Sequence, residues 1–269
     1  MDETRKVNES MEIPGQALED LRYAKGLLEN PSLAAKIVNF FGVPVEKAFK
    51  LLPARWSDAV TRAAQTALAT ALHVAVATLA DRGPRPSSDI LHKVVVTATG
   101  AAGGAFGLAA LPIELPVSTT VMLRSIADIA RNEGERIKLP EVRLACLEVF
   151  ALGGRTRSDD AAEVGYFAVR AALARAVSEA AQYIAERGLV QEGAPVIVRF
   201  ITQVASRFGV AVSEKAVAQA VPVLGAAGGA VINLLFIDHF QDMARGHFIV
   251  RRLERTYGAE LVRAAFERI

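Results

Sequence analysis

The sequence predicts an all-α protein, a multi-helix bundle with two glycine-rich apolar helical hairpins. Three observations carry that prediction. Apolar residues recur at helical spacing over long stretches, and alternation of the strand type is almost absent. The apolar fraction is 52% with only 6% aromatic, a balance of Ala and Val that suits closely packed helices. Finally, Gly and Pro fall between the periodic segments as punctuation.

Taken in order, residues 1–13 are polar and carry acids, so they are expected to be disordered. A first helix is predicted from about Gln16 to Glu29, with Leu18, Leu21, Tyr23 and Leu28 among charges. Asn30-Pro31 restarts the chain as cap and first helical residue, and a helix to Phe41 follows. Gly42-Val43-Pro44 breaks it, a further helix ends near Pro53, and the Ala-rich stretch Trp56–Leu79 is strongly helical. Val94-Val95-Val96 is the best strand candidate, but it flows directly into an Ala/Gly helix pattern. Pro140 opens a helix that closes at Gly153-Gly154. Ser158 caps another, with Asp159 and Asp160 in its first turn, and that helix stops at Gly188. The segment 83–88 (GPRPSS) reads as a linker between an N-terminal helical layer, 14–82, and a glycine-rich helical core, 89–269, the two packing as one compact domain.

A chain of 269 residues buries a substantial core. The formal charge of +2, from 31 basic and 29 acidic residues, provides no field for nucleic acid. The single cysteine, Cys146, sits in the apolar run LACLEVF and reads as core; no internal disulfide is available, which points to a reducing compartment. The first residues lack the apolar stretch of a signal peptide. The expected location is therefore the cytoplasm, including the inner face of the cell membrane.

Two uncharged stretches, Val94–Ile113 and Ala216–Ile237, reach by length the roughly 20 residues that a membrane span needs. Both are diluted by small residues, and each is followed by an acid, Glu114 or Asp238. The block Gly100-Ala101-Ala102-Gly103-Gly104-Ala105 recurs as Gly225-Ala226-Ala227-Gly228-Gly229-Ala230. Glu114 then aligns with Asp238, Arg131 with Arg255 and Gly134 with Gly258, an order that suits internal duplication. Gly100, Gly103, Gly104 and Gly107, with Gly225, Gly228 and Gly229, are the candidates for helix close packing, because small residues three and four apart let backbones approach. The first reading of such packing is a soluble core, and the alternative is a hairpin that dips into a membrane. Pro112 and Pro116 bracket Glu114, and each disfavours helix in the residue before it, so a kink or re-entrant turn is expected there. Glu114 itself must be exposed, protonated or paired, with Arg124 or Arg131 the expected partner.

Near the C-terminus, Asp238, Asp242 and Arg245 share one face of a predicted helix, and Asn233 precedes them. His239 and His247 lie about 12 Å apart along such a helix and do not share a metal. No metal, cofactor or catalytic residue is assigned: the sequence holds no G-x-S-x-G elbow, no P-loop and no zinc-type Cys motif. Glu114, Asn233, Asp238, His239 and Asp242, with Arg245, Arg251 and Arg252, are the candidates for ligand binding or polar anchoring. The arginines suit a phosphate or lipid head group, and an internal salt-bridge network accounts for the same residues.

The stretch Val223–Gly258, VLGAAGGAVINLLFIDHFQDMARGHFIVRRLERTYG, resembles the C-terminal signature of the EcsC protein family. The earlier GAAGGAFGLAALPIELPVSTTVMLRSIADIARNEG resembles that family's central glycine-rich motif, and the likeness runs over roughly residues 20–265. The resemblance implies a helical bacterial protein linked by name and gene context to ABC transport and protein secretion. It carries over no catalytic assignment.

The function expected is a non-catalytic accessory protein of the membrane face that binds a hydrophobic ligand or lipid, with ABC-transporter components as partners. Two other readings stay open. One is a lipid-directed enzyme using Glu114 and Asp238 as paired carboxylates; the other is a structural subunit that packs its glycine faces against a transporter.

Overall fold

The computed structural model describes residues 13–29, 32–41, 56–78, 111–154, 165–187, 193–219 and 225–269. These form nine helices and no strand. They are α1 (Gly15–Leu28), α2 (Leu33–Phe41), α3 (Trp56–Thr78), α4 (Leu111–Asn132), α5 (Pro140–Leu152), α6 (Tyr166–Arg187), α7 (Pro195–Gln219), α8 (Gly225–Tyr257) and α9 (Ala259–Arg268). The N-terminus expected to be disordered, the expected linker at 83–88, the Val94 stretch, the expected Ser158 cap and the glycines at 100, 103, 104 and 107 lie outside the described residues, apart from Ile13.

The bundle is organised around α5. Every residue from Val142 to Leu152 is buried, because α3, α4, α6, α7 and α8 all pack against it. A helix that is apolar on all sides, as PEVRLACLEVFAL nearly is, has nowhere stable but the centre. Pro140 starts it where its missing N–H costs nothing. Its far end is closed by other helices: Arg207 Nε donates to Ala151 O at 3.0 Å, and His239 Nε2 donates to Gly153 O at 2.8 Å. Cys146 is buried within α5, where burial pushes the thiol up to about 12.

Although aromatics are few, four phenylalanines meet beside this helix. Phe150 of α5 lies 5.0 Å from Phe208 of α7 and 5.2 Å from Phe240 of α8, centroid to centroid, and Phe236 is 5.1 Å from Phe240. The C-terminal end of α5 approaches so closely that a Cβ on Gly154 would fall 1.9 Å from the Arg207 carbonyl oxygen. A Cβ on Gly153 would meet the Phe240 ring at 2.3 Å.

The longest helix, α8, has 33 residues and runs about 50 Å. It packs on α1, α2, α4, α5, α7 and α9. At its crossing with α1 a Cβ on Gly246 would lie 2.6 Å from Leu28 Cγ and 2.9 Å from Ala24 O. Thus α1, from the N-terminal layer, is part of the core, and so is α3, which packs on α4 and α7.

The kink expected around Glu114 is not formed. Residues from Leu111 onward are helical, with Pro112 in the first turn and Pro116 inside the helix. Near the N-terminus Pro116 forfeits one backbone hydrogen bond, to Pro112 O. Burial of Leu111, Glu114, Leu115, Ser118 and Thr119 against neighbouring helices overrides the local preference. α4 and α8 lie side by side and run in the same direction, as the order of their polar ties shows. Asn233 Nδ2 donates to Glu114 at 2.7 Å, Gln241 Nε2 to Ser125 Oγ at 2.7 Å, and Arg251 Nε to Glu135 at 2.7 Å. The two helices also end on the aligned glycines, Gly134 at φ +80° and Gly258 at φ +92°.

Candidate functional site

Glu114 is sealed inside the bundle. Its side chain is 5% exposed and its partner Lys215 is 0% exposed, with Nζ 2.7 Å from Oε1. Asn233 donates to the same oxygen, and Gln219 Nε2 reaches Oε2 at 3.4 Å. Lys215 also stands 4.8 Å from the Phe236 ring centroid. Burial holds this lysine below its ordinary range, while the charge and hydrogen bond of Glu114 pull it back up. The partner expected from the following helix is therefore corrected: Arg131 pairs with Asp128, and Glu114 takes a lysine 101 positions away. Lys215 was missed because nothing local links VSEKAVAQAV to Glu114; an unmatched cation in an Ala/Val helix was the available signal.

Glu114 makes its contacts to Lys215, Asn233 and Gln219, so it does not form a carboxylate pair with Asp238. Asp238 is half-buried on α8. His239 is buried and serves as a cap for α5 through the bond given above. Asp242 does meet Arg245, at 3.3 Å, and is held also by Lys36 of α2 at 3.1 Å.

The arginines offered as a head-group anchor clamp the turn between α4 and α5. Arg251 binds Glu135; Arg252 binds Glu133 at 2.7 Å and Asp20 of α1 at 3.0 Å. Arg255 joins Glu135 and also donates to Glu133 O at 2.7 Å. The salt-bridge account of these residues thus describes their geometry, and Arg252 has its acids close at hand. Gly228 and Gly229 are buried in the first turns of α8; Gly225 is helical. Among the described residues no group of three or more His, Cys, Asp or Glu is placed to hold a metal.

Among the described residues several concave regions are open, and two of them reach about 700 Å³. One, about 700 Å³, lies between α3 and α7. Leu72, Val74, Ile197, Val198 and Ile201 provide its apolar surface, and Gln65, Thr66, Thr70, His73 and Thr202 add polar groups, with no carboxylate, lysine or arginine among the described residues of the lining. Val198 is 50% exposed there. The other, about 720 Å³, lies among α5, α6, α8 and α9 and includes Glu148, Arg170, Arg251 and Glu254. Neither region was anticipated residue by residue. Glu148 could have been flagged as an acid inside an otherwise apolar helix.

α7 is the one described helix with the length and apolarity to cross a membrane, and 44% of its most apolar stretch is buried. It packs on α2, α3, α5, α6 and α8. No curated protein and no solved structure is significantly similar to the chain. The model of the EcsC protein family matches residues 16–253, nearly the whole described bundle, with both glycine-rich motifs inside the match. With that match added to the ordered motifs and the all-helical bundle that carries them, the chain belongs to the EcsC protein family.

Proposed function

We propose that this protein is a non-catalytic accessory protein of the membrane face that holds the hydrocarbon chain of a lipid in the groove between α3 and α7. The observation that carries this reading is the chemistry of the groove: among the described residues, an apolar surface of Leu, Val and Ile to which amide, hydroxyl and imidazole groups are added. A lining whose described residues include no carboxylate, lysine or arginine offers little to an ionic ligand and much to an alkyl chain. Large apolar side chains exposed elsewhere support contact with a membrane. Ile113 is 77% exposed and Val117 46% exposed, one turn apart on α4 where the first glycine-rich segment enters it, and Phe40 on α2 is 60% exposed. The carboxylate-pair alternative loses its basis, since Glu114 is enclosed and committed to Lys215 and Asn233. Partnership with ABC-transport components is part of the proposal and rests on the family resemblance alone.

The test is a titration of the full chain with a pyrene-labelled neutral acyl ester, alongside Val198→Glu. Wild type should bind saturably, and the variant should bind about tenfold or more weakly at unchanged thermal stability, since a carboxylate in the groove must be desolvated. Equal binding by both proteins, or none by wild type, would remove the groove from the account.

A further inference from the structure

The cleft among α5, α6, α8 and α9 shares no lining residue with the α3–α7 groove and has a different character. Its outer wall is a stripe of small and apolar residues on α6, including Ala171, Ala174, Val177 and Ala181. Glu148 of α5 faces into it and is 5% exposed. Among the described residues the Glu148 carboxylate has no hydrogen bond or ion pair, and its oxygens are open to the cleft. Beside it, Arg251 commits Nε to Glu135 at 2.7 Å, which leaves both terminal nitrogens without an acceptor among the described residues. Arg170 is saturated by comparison, with its two terminal nitrogens on the two oxygens of Glu254 at 2.7 and 2.9 Å.

We propose that this cleft binds a small monocarboxylate, with the terminal nitrogens of Arg251 and the carboxyl of Glu148 donating to the ligand carboxylate while the α6 stripe covers a short apolar body. An acid and a carboxylate can share one proton when a cation stands beside them, and Arg supplies the planar fork that a carboxylate fits. An amine is the poorer fit. Arg170 and Arg251 together, after burial itself, hold His247 well below its ordinary range, so these two cations lie close to this end of a lining that also carries Glu141, Glu148, Glu254 and Glu260.

Burial raises Glu148 to about 7, with Arg170 and Arg251 opposing and Glu254 reinforcing the rise. Near neutrality it is therefore a donor for part of the population. The groups around it are Arg170 and Tyr166 on α6, His247, Arg251 and Glu254 on α8, Glu141 on α5, and Glu260 with Arg263 on α9. α3, α4 and α7 contribute no titratable group to the lining among the described residues. Tyr166 and His247 are bonded to each other at 2.9 Å, and burial keeps both uncharged, so Glu148 is the group that changes charge near pH 7. The ligand, ionised throughout, is held when Glu148 carries its proton and repelled when it does not.

The experiment is an NMR titration of the full chain with hexanoate, hexylamine and hexanol at pH 6 and pH 8, repeated on Glu148→Gln. Hexanoate should bind about tenfold tighter at pH 6 than at pH 8, the ratio of protonated Glu148 at the two values. Glu148→Gln, which keeps a neutral donor, should bind hexanoate equally at both. Arg251→Met, confirmed folded by circular dichroism, should lose hexanoate at both. The proposal is overturned if hexylamine is preferred, if hexanol binds as well as hexanoate, or if wild type binds no hexanoate. It is overturned equally if wild-type binding is the same at both pH values, or if its pH dependence persists in Glu148→Gln.

Discussion

Lys215 Nζ lies 2.7 Å from Glu114 Oε1 with both side chains out of reach of water, and this pair joins α4 to α7. Asn233, bonded to the same oxygen, brings α8 into the contact. A charge pair in this setting offsets its own desolvation only while it is complete. Glu114→Gln or Lys215→Met alone should each destabilise by about 3–5 kcal/mol, and the double variant by clearly less than the sum. Denaturant unfolding of the four proteins checks this; additive losses would show the two residues are not coupled.

Glycines separate into those the packing requires and those it does not. Gly154→Ala puts a Cβ against the backbone of Arg207, and Gly246→Ala puts one against Ala24 O and Leu28, so each should cost about 1–3 kcal/mol or prevent folding. Gly26, exposed inside α1 with no atom near its missing Cβ, should gain about 0.5–1 kcal/mol on change to Ala. Thermal unfolding of the three variants distinguishes the classes.

Glu148 has a raised folded value, about 7, against 4.5 for a free glutamate. The folded state therefore binds more protons than the unfolded state between those values, and stability attributable to this group falls as pH rises through that window. Below about pH 4.5 the group is neutral in both states and the penalty vanishes. Glu148→Gln should accordingly be more stable than wild type above pH 7, by on the order of 3 kcal/mol, with the gap closing towards pH 4.5. A gap independent of pH would show that Glu148 is not titrating as described.

Cys146 is enclosed in α5 and held as a neutral thiol. It should react with a thiol reagent only as fast as the bundle opens, so labelling rate and unfolding rate in denaturant should coincide. Rapid labelling of native protein would contradict the central position of α5.

Much of the bundle was legible because its helix boundaries are written in local chemistry. Pro140 and Gly153 bound α5, and Gly188 follows the last helical residue of α6, Arg187. Where tertiary packing overrode local preference the sequence misled, as at Pro116, which lies within an unbroken α4. The site was less legible because its partners are remote. Lys215 and Asn233 are 101 and 119 positions from Glu114. Glu133 and Glu135, which pair with Arg251, Arg252 and Arg255, sit in the α4–α5 turn, where helix periodicity says nothing about them. Glu148 and Arg251 come together only because α5 is threaded through the middle of the bundle.

The measurement that tests the membrane-binding account most directly is sedimentation of the full chain with phospholipid vesicles, at low salt and at 1 M salt, beside Val198→Glu. Apolar insertion is indifferent to the screening that abolishes attraction between surface charges. Pelleting that survives high salt in wild type and weakens in the variant is the result predicted. Absence of pelleting, or pelleting lost at high salt, would contradict an apolar encounter with the bilayer.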